Sequence, residues 1–196
     1  MNRGGPGLGD IGSSQGDYFQ SVKGGGHGDY FTYTLAPGSC QEAYDMMFEA
    51  FEVAFAFRNP VLILGDAIVA QMKEPVRPRG PNAAPATPAG EGLDWCLTGA
   101  EGRKHRILRS LFLEEGALAG QNRKLMDKYK AMHAHVRAEL YEAEDADLVV
   151  VAYGSIGRIV KSAVRKLRAQ GHKVVLVRPL TLYPYPSDVL RKLAEQ

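Results

Sequence analysis

The 196 residues carry 45% hydrophobic and 23% charged side chains, the proportions of a folded globular protein, and 24 basic against 22 acidic residues leave a formal charge of only +2. That balance excludes general disorder and a phosphate-tracking basic face, so nucleic acid is not an expected partner. The longest apolar runs, Val61 to Leu64 and Leu148 to Tyr153, are far too short to cross a bilayer and no hydrophobic run follows Met1, so no membrane partner is expected and the expected location is cytoplasmic.

The chain opens on Met1-Asn2-Arg3-Gly4-Gly5-Pro6-Gly7-Leu8-Gly9-Asp10, which sets one guanidinium beside backbone almost bare of side chains. Glycines let main chain approach a ligand closely, and successive amide N–H groups can converge on negative charge. Arg3 adds a planar fork that matches a carboxylate or phosphate bidentately. Arg3, Gly4 and Gly5 are therefore candidate anion-binding residues; the bland alternative is a floppy N-terminus.

Phe31 to Leu35 reads as a strand ended by the Pro37-Gly38 turn. Ser39 with Glu42 is a capping-box pattern that starts a helix, and Ala43, Met46, Met47, Ala50, Phe51, Ala54 and Phe57 follow at helical spacing as a core stripe. Asn59-Pro60 stops it. Val61-Leu62-Ile63-Leu64-Gly65-Asp66 then has the composition of a strand buried on both faces of a parallel sheet, so this half reads as a right-handed strand–helix–strand unit. Asp66, at the strand's carboxyl end, is either a ligand-loop residue or the N-cap of a short helix from Ala67 to Met72.

Pro75, Pro78, Pro81, Pro85 and Pro88 mark a linker or extended surface strap. Leu125, Tyr129, Met132, Val136 and Leu140 predict one face of a long amphipathic helix, ending near the acidic Glu142 to Asp147 boundary. His133 and His135 lie two apart on that helix and so face apart, which suits packing or surface roles rather than chelation. Cys40 and Cys96 are too few for a disulfide scaffold, a zinc site or a cluster, so no iron-sulfur cluster belongs to this chain and electrons would pass through another.

Leu148 to Tyr153 leads through Gly154-Ser155-Ile156-Gly157 into a helix reaching about Gln170, and Lys173 to Val177 forms the next strand, a β-α-β unit. Its turn lacks the three-glycine dinucleotide fingerprint, and Arg178-Pro179 stands where a ribose-binding acid is required, which argues against nicotinamide binding.

Asn2 to Asp10, Gly24-Gly25-Gly26-His27-Gly28-Asp29-Tyr30, Leu35 to Ser39, Leu64-Gly65-Asp66-Ala67, Lys73-Glu74-Pro75-Val76, Ala152-Tyr153-Gly154-Ser155, Lys161-Ser162-Ala163 and Arg178 to Pro184 together resemble the alpha subunit of 2-oxoacid:ferredoxin oxidoreductases. The likeness covers most of the chain outside the Pro-rich strap, and within the family it is to the branched-chain type that acts on 2-oxoisovalerate (3-methyl-2-oxobutanoate). The resemblance implies an α/β fold: the C-terminal half of a thiamine-diphosphate pyrimidine-binding domain, a parallel sheet with flanking helices, at 1–75, a Pro-rich linker and connecting helix at 76–145, and the first part of a transketolase C-terminal-like α/β domain at 146–196. It also implies oxidative decarboxylation of a 2-oxoacid to acyl-coenzyme A, with electrons passing through iron-sulfur clusters to ferredoxin. Thiamine diphosphate supplies the carbanion sink there, while protein groups orient and stabilise charge. By resemblance Arg3, in the Arg-Gly-Gly-Pro run, faces the active site and holds the substrate carboxylate.

Departures from the family pattern shape the expectation. Gly7-Leu8 replace the Ser-Thr found in many relatives, which makes the loop less polar and suits a branched apolar substrate better than the second carboxylate of 2-oxoglutarate; the same chemistry on 2-oxoglutarate or pyruvate is the alternative. A Tyr-Pro-Ile-Thr-Pro motif and the glutamate that activates the cofactor are absent, as is a Gly-Asp-Gly diphosphate–Mg2+ motif, which the resemblance assigns to a beta subunit. The chain is thus expected to be a piece of a longer alpha subunit, inactive alone and with no catalytic residue of its own, working with beta, gamma and iron-sulfur delta subunits. Half-domains would expose strand edges. The competing reading is a non-catalytic α/β module that docks other subunits.

Overall fold

The computed structural model describes residues 2–10, 12, 14–80, 95–97, 99–142 and 145–195. Residues 81–90 of the Pro-rich strap lie outside them, as do 143 and 144 of the acidic boundary. Among the described residues the helices are α1 (Tyr18–Lys23), α2 (Cys40–Phe57), α3 (Ala67–Gln71), α4 (Ala117–Met132), α5 (Gly154–Ala169) and α6 (Ser187–Ala194). The strands are β1 (Tyr33–Leu35), β2 (Val61–Ile63), β3 (Ala138–Tyr141), β4 (Leu148–Val151), β5 (Val174–Pro179) and β6 (Thr181–Tyr183).

They form two small sheets, ordered β2-β1-β6 and β3-β5-β4. In the first, β1 and β2 run parallel with Tyr33 opposite Val61, as a strand–helix–strand crossover through α2 requires. In the second, β4 and β5 run parallel with Leu148 opposite Val174, which makes β4-α5-β5 the second such unit. Only Leu180 separates β5 from β6, so one extended segment leaves the middle of the second sheet and enters the first, antiparallel to β1. Helix α2 begins as its sequence predicts: Ser39 Oγ accepts the Glu42 N–H at 3.1 Å. Glu42 reaches back one residue beyond the cap, taking the Gly38 N–H at 2.7 Å.

Three sequence expectations are corrected. The helix expected through Leu140 ends at Met132, a single 3-10 turn covers His133–His135, and Leu140 lies in β3, antiparallel to β5. The helical spacing runs on past the helix by coincidence; pairing with β5 holds Ala138 to Tyr141 extended, an override of local pattern by tertiary contact. β2 is half-buried rather than buried on both faces, because it is an edge strand. For the same reason the α2 stripe is wider than the sheet beneath it: Met46, Ala50 and Val53 are buried, whereas Met47 and Phe51 overhang the edge and are exposed.

The principal core packs Tyr33, Leu35, Met46, Val53, Tyr129 and Met132, with Phe31 stacked on Tyr183 at 4.5 Å between ring centroids. A second cluster joins Val164 of α5 to Val174 and Leu176 of β5.

Where the sheets meet sits a buried guanidinium. Arg178 of β5 grips Glu42 of α2 bidentately at 2.9 and 2.6 Å, and its Nε donates to Glu139 of β3 at 2.7 Å. Lys161 of α5 pairs with the other Glu139 oxygen. Two glycines make room: a Cβ on Gly157 would sit 2.9 Å from Arg178 Cδ, and one on Gly38 would sit 2.8 Å from Gly154 O. Burial opposes ionisation of Glu42, yet the hydrogen bonds from Arg178 and Gly38 outweigh it and hold that carboxyl below its usual range. Glu139 follows the same pattern, its burial outweighed by Lys161 and Arg178.

Because both carboxyls titrate lower in the folded state, their contribution is whole at neutral pH and is lost as pH falls below the ordinary glutamate value of about 4.3. Replacing Arg178 with Met should cost about 3 kcal/mol at pH 7, since it leaves partly buried charges unpaired. The same variant should lose much of the wild-type dependence of the urea midpoint on pH between neutrality and about 3.5. Parallel urea titrations at the two pH values measure both effects.

Candidate functional site

Parallel β1 and β2 end on one edge, and their carboxyl-end loops, 36–38 and 64–66, are the positions where open parallel sheets place ligands. The start of α5 docks against that same edge. Asp66, 4% exposed, uses one oxygen to cap α3 by accepting the Val69 N–H at 3.0 Å. Its other oxygen accepts the Ser155 N–H at 3.2 Å and the Ser155 hydroxyl. Asp66 is therefore the expected helix cap and, in addition, the anion seated at the N-terminus of α5, where a phosphate would otherwise be attracted. The glycines of the 154–157 turn serve the packing of this carboxylate and of Arg178.

The N-terminal loop is bound to the same edge. Asn2, 1% exposed, forms a parallel bridge with Asp66 in which its N–H donates to Gly65 O at 2.8 Å. Its side chain accepts the Asp17 N–H at 3.1 Å and approaches the Tyr153 hydroxyl at 3.4 Å. Gln15 completes the bracket through Tyr153 O at 3.1 Å. Burial pushes the Tyr153 phenol above its ordinary value against the Asn2 hydrogen bond, helped by the neighbouring Tyr18, Asp66 and Asp17.

Beyond Asn2 the loop closes on itself through Asp10 N–H to Gly4 O at 3.0 Å. Gly9 has φ +61°, and a Cβ there would lie 1.7 Å from Gly4 O, so only glycine closes this loop. The loop walls a cavity of about 560 Å3 lined by Arg3, Gly4, Gly5, Pro6, Gly7, Gly16, Asp17 and Gln20. The three residues singled out in the sequence are thus brought together on one wall. Arg3 is half-buried and its guanidinium has no hydrogen bond or ion pair among the described residues, although its own N–H donates to Asp17 Oδ2 at 3.4 Å. Asp17 and Gln20 also line an adjoining cavity of about 380 Å3 with Thr32, Leu62, Ile63 and Leu64, so a polar compartment opens beside a more apolar one.

Sequence reasoning missed Asn2 as the bracket of the loop, Asp17 and Gln20 as cavity residues, and the second role of Asp66. Those roles depend on partners 15 to 151 positions away, as in Asn2 with Asp17 and with Tyr153, and no local signal marks them. A guanidinium beside nearly bare backbone is chemistry suited to an anion. The residues do not fit a magnesium diphosphate: among the described residues no group of three His, Cys, Asp or Glu side chains is placed to hold a metal, and the α5 terminus already holds a carboxylate.

Comparison with known proteins places this geometry. Residues 1–89 match the family model described as pyruvate flavodoxin/ferredoxin oxidoreductase, thiamine diphosphate-binding, and residues 146–196 match pyruvate:ferredoxin oxidoreductase core domain II. The chain is 47% identical to the ketoisovalerate oxidoreductase subunit VorB of Methanothermobacter marburgensis, over 98% of this chain and 54% of that protein. It is 33% identical to the 2-oxoglutarate synthase subunit KorA of Methanocaldococcus jannaschii, over 98% of this chain and 58% of that one. The chain therefore spans about half the length of the curated relatives it matches. A solved 2-oxoglutarate:ferredoxin oxidoreductase from Magnetococcus marinus, with 2-oxoglutarate, coenzyme A and succinyl-CoA bound, superposes with a TM-score of 0.73 at 21% identity, over 98% of this chain and 38% of that one. That likeness is one of fold.

Replacing Asp66 with Ala removes the cap of α3 and the anion at α5 together, and should destabilise the protein by about 3 kcal/mol. Asn at this position can still accept hydrogen bonds without the charge and should cost about half as much. Thermal unfolding of the two variants beside wild type measures the difference; equal losses would mean that the charge contributes nothing.

Proposed function

The chain belongs to the 2-oxoacid:ferredoxin oxidoreductase family, and from that premise we propose that it forms part of the alpha subunit of an enzyme that oxidatively decarboxylates a branched-chain 2-oxoacid to its acyl-coenzyme A and passes the electrons to ferredoxin. The observation that carries this reading is the Arg3 guanidinium, half-buried on a cavity wall and without an internal partner among the described residues. Branched-chain use is supported by identities of 47% and 45% to ketoisovalerate oxidoreductase subunits, against 33% to a 2-oxoglutarate synthase subunit.

In this reading the three ranges 1–75, 76–145 and 146–196 act as half of a pyrimidine-binding domain, a connector and the start of a transketolase C-terminal-like domain. Beta, gamma and iron-sulfur delta subunits complete a cytoplasmic enzyme. Thiamine diphosphate with Mg2+, held mainly by the beta subunit, supplies the carbanion sink. Arg3 holds the substrate carboxylate through its planar fork, with Gly4 and Gly5 admitting the ligand close to the backbone. The bracket of Asn2 and Gln15 on Tyr153 fixes where that fork stands, so orientation of the 2-oxoacid is bound up with the docking of α5.

In the assembled enzyme, Arg3→Ala should lower kcat/KM by on the order of 100-fold, mostly through KM, because the lost anchor binds substrate before and during reaction. Arg3→Lys keeps the charge without the fork and should recover part of it. Ferredoxin or viologen reduction measures both, and an unchanged kcat/KM for Arg3→Ala removes Arg3 from the site. With the same assay, 2-oxoisovalerate should exceed 2-oxoglutarate in kcat/KM by at least roughly tenfold, since a second carboxylate left without a partner costs about 1–3 kcal/mol.

A further inference from the structure

The segment between residue 99 and α4 belongs neither to the sheets nor to the cavity wall. Behind it, Trp95 is fastened to the end of α2, its ring 5.9 Å from Phe55 and 4.8 Å beneath the Arg58 guanidinium. Arg106 adds a bond to Cys96 O at 2.6 Å. From Lys104 to Leu113 the chain has no helix, strand or turn, and among the described residues its backbone forms no hydrogen bond to another backbone segment. It then enters α4 at Ala117. Both ends are tied while the middle is open.

Apolar side chains stand open along the middle. Ile107, Leu111 and Leu113 are 79%, 66% and 84% exposed, whereas Leu108 falls to 57% and Phe112 is half-buried. Ile107, Leu108, Leu111 and Leu113 thus stand open to solvent within one short stretch, with Arg109 exposed among them. Arg103, Lys104, Arg106 and Arg109 charge the same stretch, and acids return only at Glu114 and Glu115. Lys104 and Arg109 have no ion-pair partner among the described residues. Soluble proteins rarely leave such an aliphatic stretch uncovered.

We propose that residues 104–113 are a docking strap, taken by a neighbouring subunit into an apolar groove with an acidic rim, where Ile107, Leu111 and Leu113 fill the floor and a carboxylate meets Arg109. The proposal rests on the reading of this chain as one part of a multi-subunit enzyme. Charge complementarity sets the acidic rim, and the unpaired backbone offers an edge that a strand of the partner can join. Tied ends lower the ordering cost of binding. Lipid is the poorer occupant, because it would take unpaired N–H and C=O groups into hydrocarbon. Nucleic acid is poorer too, because the exposed side chains that set this stretch apart are aliphatic and give a base no ring to stack on.

Hydrogen-exchange mass spectrometry on the assembled enzyme tests this directly. Amides of 104–113 should exchange at least roughly tenfold more slowly than unstructured-peptide rates, as paired or covered backbone does. The surface variant Ile107→Asp/Leu111→Asp should weaken subunit association on the order of 100-fold, read from dissociation on dilution. Arg109→Glu should weaken it as well and Arg109→Lys should not. Exchange at unstructured rates in the wild-type complex, unchanged association of the double variant, or protection conferred by phosphatidylglycerol vesicles and not by the subunits would each overturn the proposal. An active complex with an unprotected strap defeats the docking alone. A complex that protects the strap but oxidises no 2-oxoacid defeats the catalytic reading and leaves the docking standing.

Discussion

The contact between Arg178 and its two glutamates turns two three-stranded sheets into one body. The guanidinium rises from β5 just before that segment crosses into the first sheet, and it reaches α2 and β3 at once. A buried ion pair adds little net stability over a well-packed apolar cluster of the same volume, so its value lies in what it forbids. Residues 174, 176 and 178 share a face with α5, where Val164 packs on Val174 and Leu176. Slipping β5 by one residue would turn the guanidinium to the opposite face, away from both carboxylates, at a cost the chain cannot meet. Register, crossover and the approach of α5 therefore all bear on this one side chain, and Gly38 and Gly157 leave the space through which it passes.

Once α5 is held there, its N-terminus points at the carboxyl edge of the first sheet. Left open, that terminus would be an anion site, as in many nucleotide-binding folds. Asp66 closes it from within the chain. Among the described residues that line the nearby cavity the one arginine is Arg3, so under the proposed reading recognition of an anion shifts from a helix terminus to a side chain on a glycine loop.

Much of this architecture is legible in the sequence where signals are local. The Ser39 and Glu42 cap, the Asn59-Pro60 stop, the two parallel units and the Asp66 cap each follow from residues within a few positions of one another. The candidate loop is legible for the same reason, since its glycines and Arg3 are contiguous. What the sequence conceals is long-range. β3 carries a helical spacing and becomes a strand only because β5 offers it an edge; Met47 and Phe51 sit on a core stripe and are exposed only because β2 ends the sheet. Arg178 looks like the failure of a nucleotide motif until Glu42, 136 positions away, is placed beside it.

The same distance effect bears on substrate choice. Asp17 enters the cavity because Asn2 holds its backbone, and it puts an acidic side chain on the wall that also bears Arg3. Its carboxylate takes the Arg3 N–H and leaves the guanidinium uncommitted. A ligand with one carboxylate can meet the fork and keep its remaining atoms neutral beside Asp17. A ligand with two must bring the second negative group toward a like charge in a partly desolvated space, where repulsion is stronger than in water. In the adjoining cavity the side chains of Leu62, Ile63 and Leu64 stand beside the polar Gln20 and Thr32, and they receive an aliphatic branch without penalty. Under the proposed reading, preference for a branched 2-oxoacid needs no dedicated selectivity residue: it follows from setting one fork, one acid and one apolar strand end around a single space.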